Sequence, residues 1–266
     1  MEKHYFKVSL FEVSDDALLN KADIEEYLSM VAPLPYATKF IFKSKIQTEL
    51  NKNDIKLDQY KIFLNTEQLF KGYATYIKKD ETHAPYDQVI DLVFFSSFAR
   101  DGQLLFWGWH SISEKNQSLN QVNYMRGFRL RKSNIQVGDE YTLLRLQRDR
   151  RFHFYFFGEI HGIHPELIPN SRRDYFVEND ICFEFEEQIR NYFYNDIYKL
   201  CYTASEINSS VRKIDELKNF EDEFKQKANT GFIDKEEHQE YKDKFARKKE
   251  EAIKANNPFQ QQHRMS

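Results

Sequence analysis

Val89-Ile90-Asp91-Leu92-Val93-Phe94-Phe95 decides the fold: apolar at nearly every position, it suits a strand buried on both faces and so implies a central sheet. Outward from it, Phe40–Phe42, Lys61–Leu64, Gly72–Ile77 and Leu104–Trp109 read as further strands. Residues 113–126 are polar and weakly periodic, the pattern of a loop or short helix. Beyond them Phe128 and Leu130 alternate with Arg129 and Arg131, a turn falls near Gly138-Asp139, and Phe152–Ile160 reads as a long aromatic strand. On the N-terminal side, Tyr5–Val13 has the period of a strand, and Asp23-Ile24-Glu25-Glu26 reads as an N-cap opening a helix from about 23 to 32 that Pro33 stops.

From about residue 178 the spacing turns helical. Ile207, Val211, Ile214, Leu217, Phe220 and Phe224 recur every three or four positions, Gly231 stands where a left-handed C-cap would fall, and Asp234-Lys235-Glu236-Glu237 restarts a helix with Tyr241 and Phe245 inward. From Ser205 onward 13 basic and 13 acidic residues interleave, as on a solvated helical surface. The expected fold class is therefore α+β: a mixed sheet with helices on one side, followed by an α-helical hairpin. The tail 256–266 reads as disordered.

Composition excludes several classes. Only 8 glycines occur in 266 residues, scattered, with no GxGxxG or GxxxxGK[ST], so the usual phosphate loops are missing. With 39 basic and 42 acidic residues, global charge favours neither nucleic acid nor an anionic membrane. Cys182 and Cys201 are too few for a disulfide framework or structural zinc, and lacking a charge motif they read as small buried hydrophobes. No apolar run is long enough for a membrane helix and the N-terminus is not a signal peptide, so the expected setting is cytoplasmic.

His161 and His164, with His153 and Glu159 nearby, have no third ligand at defined spacing, and they read as structural rather than metal-binding. Between Arg126 and Arg151 stand eight basic residues against three acidic. Three readings are open there: a nucleic-acid patch working through phosphate contacts and stacking, the solvent face of a sheet, or an arginine reaching an anion held by another domain.

The segment Gly158-Glu159-Ile160-His161-Gly162-Ile163-His164-Pro165-Glu166-Leu167-Ile168-Pro169-Asn170-Ser171-Arg172-Arg173-Asp174-Tyr175-Phe176 resembles the catalytic loop in the middle domain of the heat-shock-ninety chaperones, where a strand runs into leucine-proline, asparagine and serine-arginine. Glu26–Tyr36, Arg126–Arg131 and Asn134–Asp139 resemble related bacterial GHKL-type ATP-binding proteins, and the resemblance spans residues 5 to about 180. It implies the last strand and linker of an upstream Bergerat-type nucleotide domain in 1–20, a transducer or middle domain in 21–180 and a helical region in 181–255. It further implies ATP and Mg2+ held by that upstream domain, ATP hydrolysis by the intact protein but not by this chain, and closure that favours a homodimer. The acidic base, magnesium-binding asparagine and glycine-rich lid of the nucleotide domain are not in this sequence. Aligning the serine-arginine pair assigns the γ-phosphate arginine to Arg172, and aligning the asparagine assigns it to Arg173; Asn170 and Arg126 are the accompanying nucleotide contacts. The alternative for both arginines is ion pairing to Asp174, Glu178 or Asp180. The C-terminal hairpin matches nothing in the chaperones' dimerisation domain.

Overall fold

A computed structural model describes residues 8–9, 11–14, 18–82 and 84–262, with side chains to residue 255. The chain forms two compact units, one of the residues up to Tyr194 and one of Asn195 onward together with Lys115–Gln117. The division at 194 rather than 180 leaves the first C-terminal helix with the sheet. Of the strand read over Tyr5–Val13, residues 5–7 and 10 lie outside the described residues, and the others are not in a strand; Phe11 is 85% exposed. Without a sheet partner, a period-two pattern alone does not make a strand.

The first unit is built on a six-stranded mixed sheet. Its strands are β3 (Tyr76–Lys78), β4 (Pro85–Phe98), β5 (Leu104–Ser113), β6 (Gly127–Lys132), β7 (Ile135–Gln136) and β8 (Phe157–Gly162), in the order β3-β4-β5-β8-β6-β7. Only β6 and β8 pair parallel; the other pairs are antiparallel. A two-stranded ribbon, β1 (Phe63–Leu64) and β2 (Glu67–Gln68), stands apart. The fold is thus α+β with a mixed sheet, ending in helices.

The apolar run in β4 is not the buried centre. Ile90 is 55% and Val93 38% exposed, whereas β8 is buried at every position. The aromatic strand read over Phe152–Ile160 begins only at Phe157, because Arg150–Phe152 closes a 3-10 turn capped by the Asp149 side chain.

Helix α1 (Lys21–Val31) is capped by Asn20, whose side chain accepts from the Ala22 amide at 2.9 Å, three residues before the sequence signal that places the cap at Asp23. It stops before Pro33, which disfavours α geometry at Ala32. Residues 40–42, read as strand, are a turn into α2 (Lys43–Lys52), which buries Ile46 and Leu50 one turn apart. Met30, Ile46 and Leu50 pack with Tyr36, Tyr73, Trp107 and Trp109 on one face of the sheet. On the opposite face Phe106 meets Phe185 of α3 (Asp180–Tyr192), with ring centroids 5.6 Å apart. Helices therefore cover both faces, not the single face expected. Alternation shows which residues share a face but not what covers them.

The second unit is a hairpin of α4 (Tyr198–Thr230) and α5 (Lys235–Gln262). Phe220 stacks on Tyr241 at 5.5 Å and Phe224 on Phe245 at 5.9 Å, as the spacing implies. Gly231 does have positive φ, +96°, but with extended ψ rather than a left-handed cap. The Asp234 side chain accepts from the Glu237 amide while the Glu237 carboxylate accepts from the Ile233 amide, so the next helix starts from a reciprocal cap. The tail read as disordered is helical to Gln262; residues 263–266 lie outside the described residues.

Candidate functional site

Arg172 and Arg173 lie on a tight turn between β8 and α3, and the structure gives them different surroundings. Asn170 anchors the turn: its Nδ2 donates to Asp174 Oδ1 at 2.5 Å, its amide to the Tyr175 carbonyl at 2.8 Å, and its carbonyl accepts from the Arg173 amide at 2.9 Å. Arg173 takes a left-handed backbone, φ +56°, and its guanidinium donates to the carbonyls of Gln136 and Lys132, both at 3.1 Å. The Arg173 carbonyl in turn accepts from the Gly138 amide at 2.8 Å. Arg173 is thereby committed to holding the turn against β6 and β7. Arg172 is exposed and makes no hydrogen bond or ion pair among the described residues. Neither arginine pairs with Asp174, Glu178 or Asp180.

Arg172 borders a cleft of about 550 Å³ between α1 and the turns at 138–142 and 170–174. Glu26, Tyr27 and Met30 of α1 form one side, with Arg129 and Gln136 also in its lining. Asn170 is not in this cleft; it lines a neighbouring groove with Arg145, Tyr175 and Glu186. Arg126 lies elsewhere again, with its guanidinium 4.0 Å above the Phe154 ring and an Nη2 donating to the Tyr141 hydroxyl at 3.2 Å. The turn thus brings Asn170, Arg172 and Arg173 together and leaves Arg126 out.

The basic stretch 126–151 is divided between core and surface. Arg129 and Arg131, expected on a wet face or a phosphate patch, are buried on the α1–α2 side of the sheet. Arg129 pairs with Glu140 at 3.1 Å, Lys132 donates to the carbonyls of Ile163 and His164, and Arg145 and Arg151 pair with Glu186 and Asp149.

One constellation has a single local sequence signal. Glu159, fully enclosed, accepts from Tyr36 at 2.5 Å, Tyr73 at 3.0 Å, Lys71 at 2.7 and 2.9 Å and His161 at 3.0 Å, and its Oε1 lies 2.6 Å from Arg131 Nε. Lys71 also donates to Asn134 at 2.6 Å, and Trp109 donates to the Tyr36 hydroxyl at 3.1 Å. Burial alone would raise the Glu159 carboxyl; Arg131 and Lys71 outweigh it and hold the group well below the usual carboxylate range. Burial and the Arg131 charge lower the Lys71 ammonium to about 7 against the pull of Glu159. Arg131 further donates to the Met30 and Asn134 carbonyls at 2.6 and 3.0 Å, so the cluster ties α1 and the segment before β3 to the sheet. It is enclosed and every charge has a partner, which makes it a structural keystone. A carboxylate at position 159, between Gly158 and Ile160 in an apolar strand, is the one clue the sequence holds.

The histidines fall into separate contacts: His161 on Glu159, His164 on Asp101 at 3.0 Å, and His153 on the Glu140 carbonyl at 2.6 Å. Among the described residues no group of three or more His, Cys, Asp or Glu is placed to hold a metal. Cys182 and Cys201 form no disulfide and are buried; burial pushes the Cys182 thiol up to about 11. Among the described residues no helix is long and apolar enough to cross a membrane. No protein-family model and no curated protein matches the chain.

Proposed function

We propose that this chain is the transducer region of a GHKL-type, heat-shock-ninety-like ATPase, with Arg172 the residue that reaches the γ-phosphate of ATP held by an upstream nucleotide domain. The observation that supports this reading is the division of labour on the 170–174 turn: Arg173 and Asn170 are spent on holding it, while Arg172 projects an unpaired guanidinium from it. A guanidinium on a rigid support matches phosphate oxygens bidentately and stabilises charge that develops on transfer. The chain contributes this one cation; nucleotide, Mg2+ and attacking water belong to the partner domain, and cytoplasmic residence and a closed homodimer accompany the reading. The nucleic-acid alternative keeps fewer cations, since Arg129 and Arg131 are inside.

The test is ATP turnover by the native polypeptide recovered from its own cells. Arg172→Ala is expected to lower turnover about 10³-fold or more, the scale of an arginine finger. Absence of turnover in the native protein, or equal rates in variant and wild type, would remove the reading.

A further inference from the structure

Strand β4 has one edge that the sheet leaves open. β5 runs along the other edge from Val89 to Phe98, but β3 and the residue before it reach no further along β4 than Val89. The register shifts between Val89 and Asp91, and beyond that bulge the Leu92 amide and carbonyl face away from β5: the amide donates to the Asp91 carboxylate at 2.7 Å, and the carbonyl accepts from Lys45 of α2 at 3.4 Å. Strand alternation turns the amides and carbonyls of Phe94 and Ser96 the same way. These have no hydrogen-bond partner among the described residues. Ser96 is exposed and Phe98 is 61% exposed. Proteins blunt an edge strand with charge, proline or a bulge, and here the bulge and the Lys45–Asp91 ion pair do so only as far as Leu92. Val93–Phe98 carries no charge and no proline.

We infer that Val93–Phe98 pairs antiparallel with the same segment of a second copy of this chain. A two-fold axis through Phe95 sets Phe94 opposite Ser96 of the second copy and Ser96 opposite its Phe94, so outward amides meet outward carbonyls and each pair exchanges two hydrogen bonds. In that register Val93 meets Ser97 of the second copy at a non-hydrogen-bonded position, and Asp91 comes beside its exposed Arg100. A shift that brings Phe98 into the ladder sets Asp91 against Asp101, like charge on like, and the opposite shift needs the Leu92 groups that Asp91 and Lys45 already hold. The segment is thus complementary to itself in hydrogen bonding, apolar content and charge, which selects a second copy over an unrelated strand. Two-fold pairing is closed: it joins two six-stranded sheets into one continuous sheet and consumes both open edges. The inference rests on the sheet and not on the ATPase reading.

The experiment is sedimentation equilibrium of the full chain, carried to about 0.5 mM because a short edge pairing belongs with the weaker specific interfaces. A monomer–dimer equilibrium is expected. Ser96→Pro removes the outward amide and Ser96→Lys sets a charge beside Phe94 of the second copy; neither alters the hydrogen bonds to β5, so each should weaken dimerisation tenfold or more while the melting temperature of the monomer stays near wild type. Val93→Cys and Ser97→Cys chains oxidised together should form a disulfide-linked pair, since non-hydrogen-bonded positions bring Cα atoms to about 4.5 Å, and neither variant alone should do so. A monomer at every concentration, a dimer that both Ser96 variants leave intact, or a cross-link no stronger in the mixture than in either variant alone would overturn the inference. So would slow hydrogen exchange at the Phe94 and Ser96 amides that persists in the monomer, which would assign the edge to another segment of the same chain. None of these readouts involves ATP turnover, so the ATPase reading stands or falls separately.

Discussion

Two adjacent arginines with the same chemistry have acquired different work. Arg173 is held by its own backbone conformation and two carbonyls, and Arg172 by nothing but its Cα. Arg173→Ala is therefore expected to lower stability by about 1–3 kcal/mol in urea unfolding, through two lost charge-assisted hydrogen bonds. Arg172→Ala should stay within about 0.5 kcal/mol of wild type, as exposed substitutions do. Equal losses would mean that Arg172 is also structural. The Ser-Arg-Arg sequence made this pair visible as candidates, but the choice between them depends on carbonyls 37 and 41 residues away in sequence.

At the scale of elements, two turns are locked face to face. Gly138 has φ +69°, and a Cβ there would collide with the Thr142 hydroxyl and the Asp174 carbonyl oxygen, the latter in the Arg172 turn. Gly138→Ala is expected to strain both turns at once, costing about 1–3 kcal/mol and displacing Arg172. Circular dichroism melting reads the first effect, and ATP turnover by the native protein the second. The hairpin helices and the turn at Gly138-Asp139 were legible because local spacing and turn chemistry specify them. Helix α2 and the real extent of β8 were not, since Phe40–Phe42 and Phe152–Phe156 are aromatic enough for strands and become turns through packing and the Asp149 cap.

For the whole molecule, pH is the simplest probe of the buried polar layer. Burial holds His110 and His161 at about 4, against an ordinary 6.5. Between those values the unfolded chain takes up protons that the folded one refuses, so stability is full above about pH 6.5 and drains away as pH falls toward 4, on the order of 3 kcal/mol per histidine. Lys71, lowered to about 7, acts in the other window: the unfolded chain binds its proton up to 10.5, so stability rises further from pH 7 toward 10. Urea midpoints from pH 4 to 10 should climb throughout, and Lys71→Met should flatten the alkaline part; a flat profile between 4 and 6.5 would mean that the histidines are not buried neutral.

By itself the sequence determined the class of fold, the change from sheet to helices near residue 180, the seam of the hairpin and the candidate turn at Asn170–Arg173, all of which follow from periodicities and motifs within about 20 residues. Tertiary structure alone decided which face of β6 is dry, why Glu159 can be enclosed, and which arginine remains free. Those outcomes depend on groups brought together from distant parts of the chain: pairing of β6 with β8 sets Arg131 beside Glu159, but Lys71 comes from 88 residues away and the Tyr36 hydroxyl from 123, once the segments before β3 have closed over the sheet. No local pattern encodes such a meeting, because burying a charge is favourable only once its partner is already there.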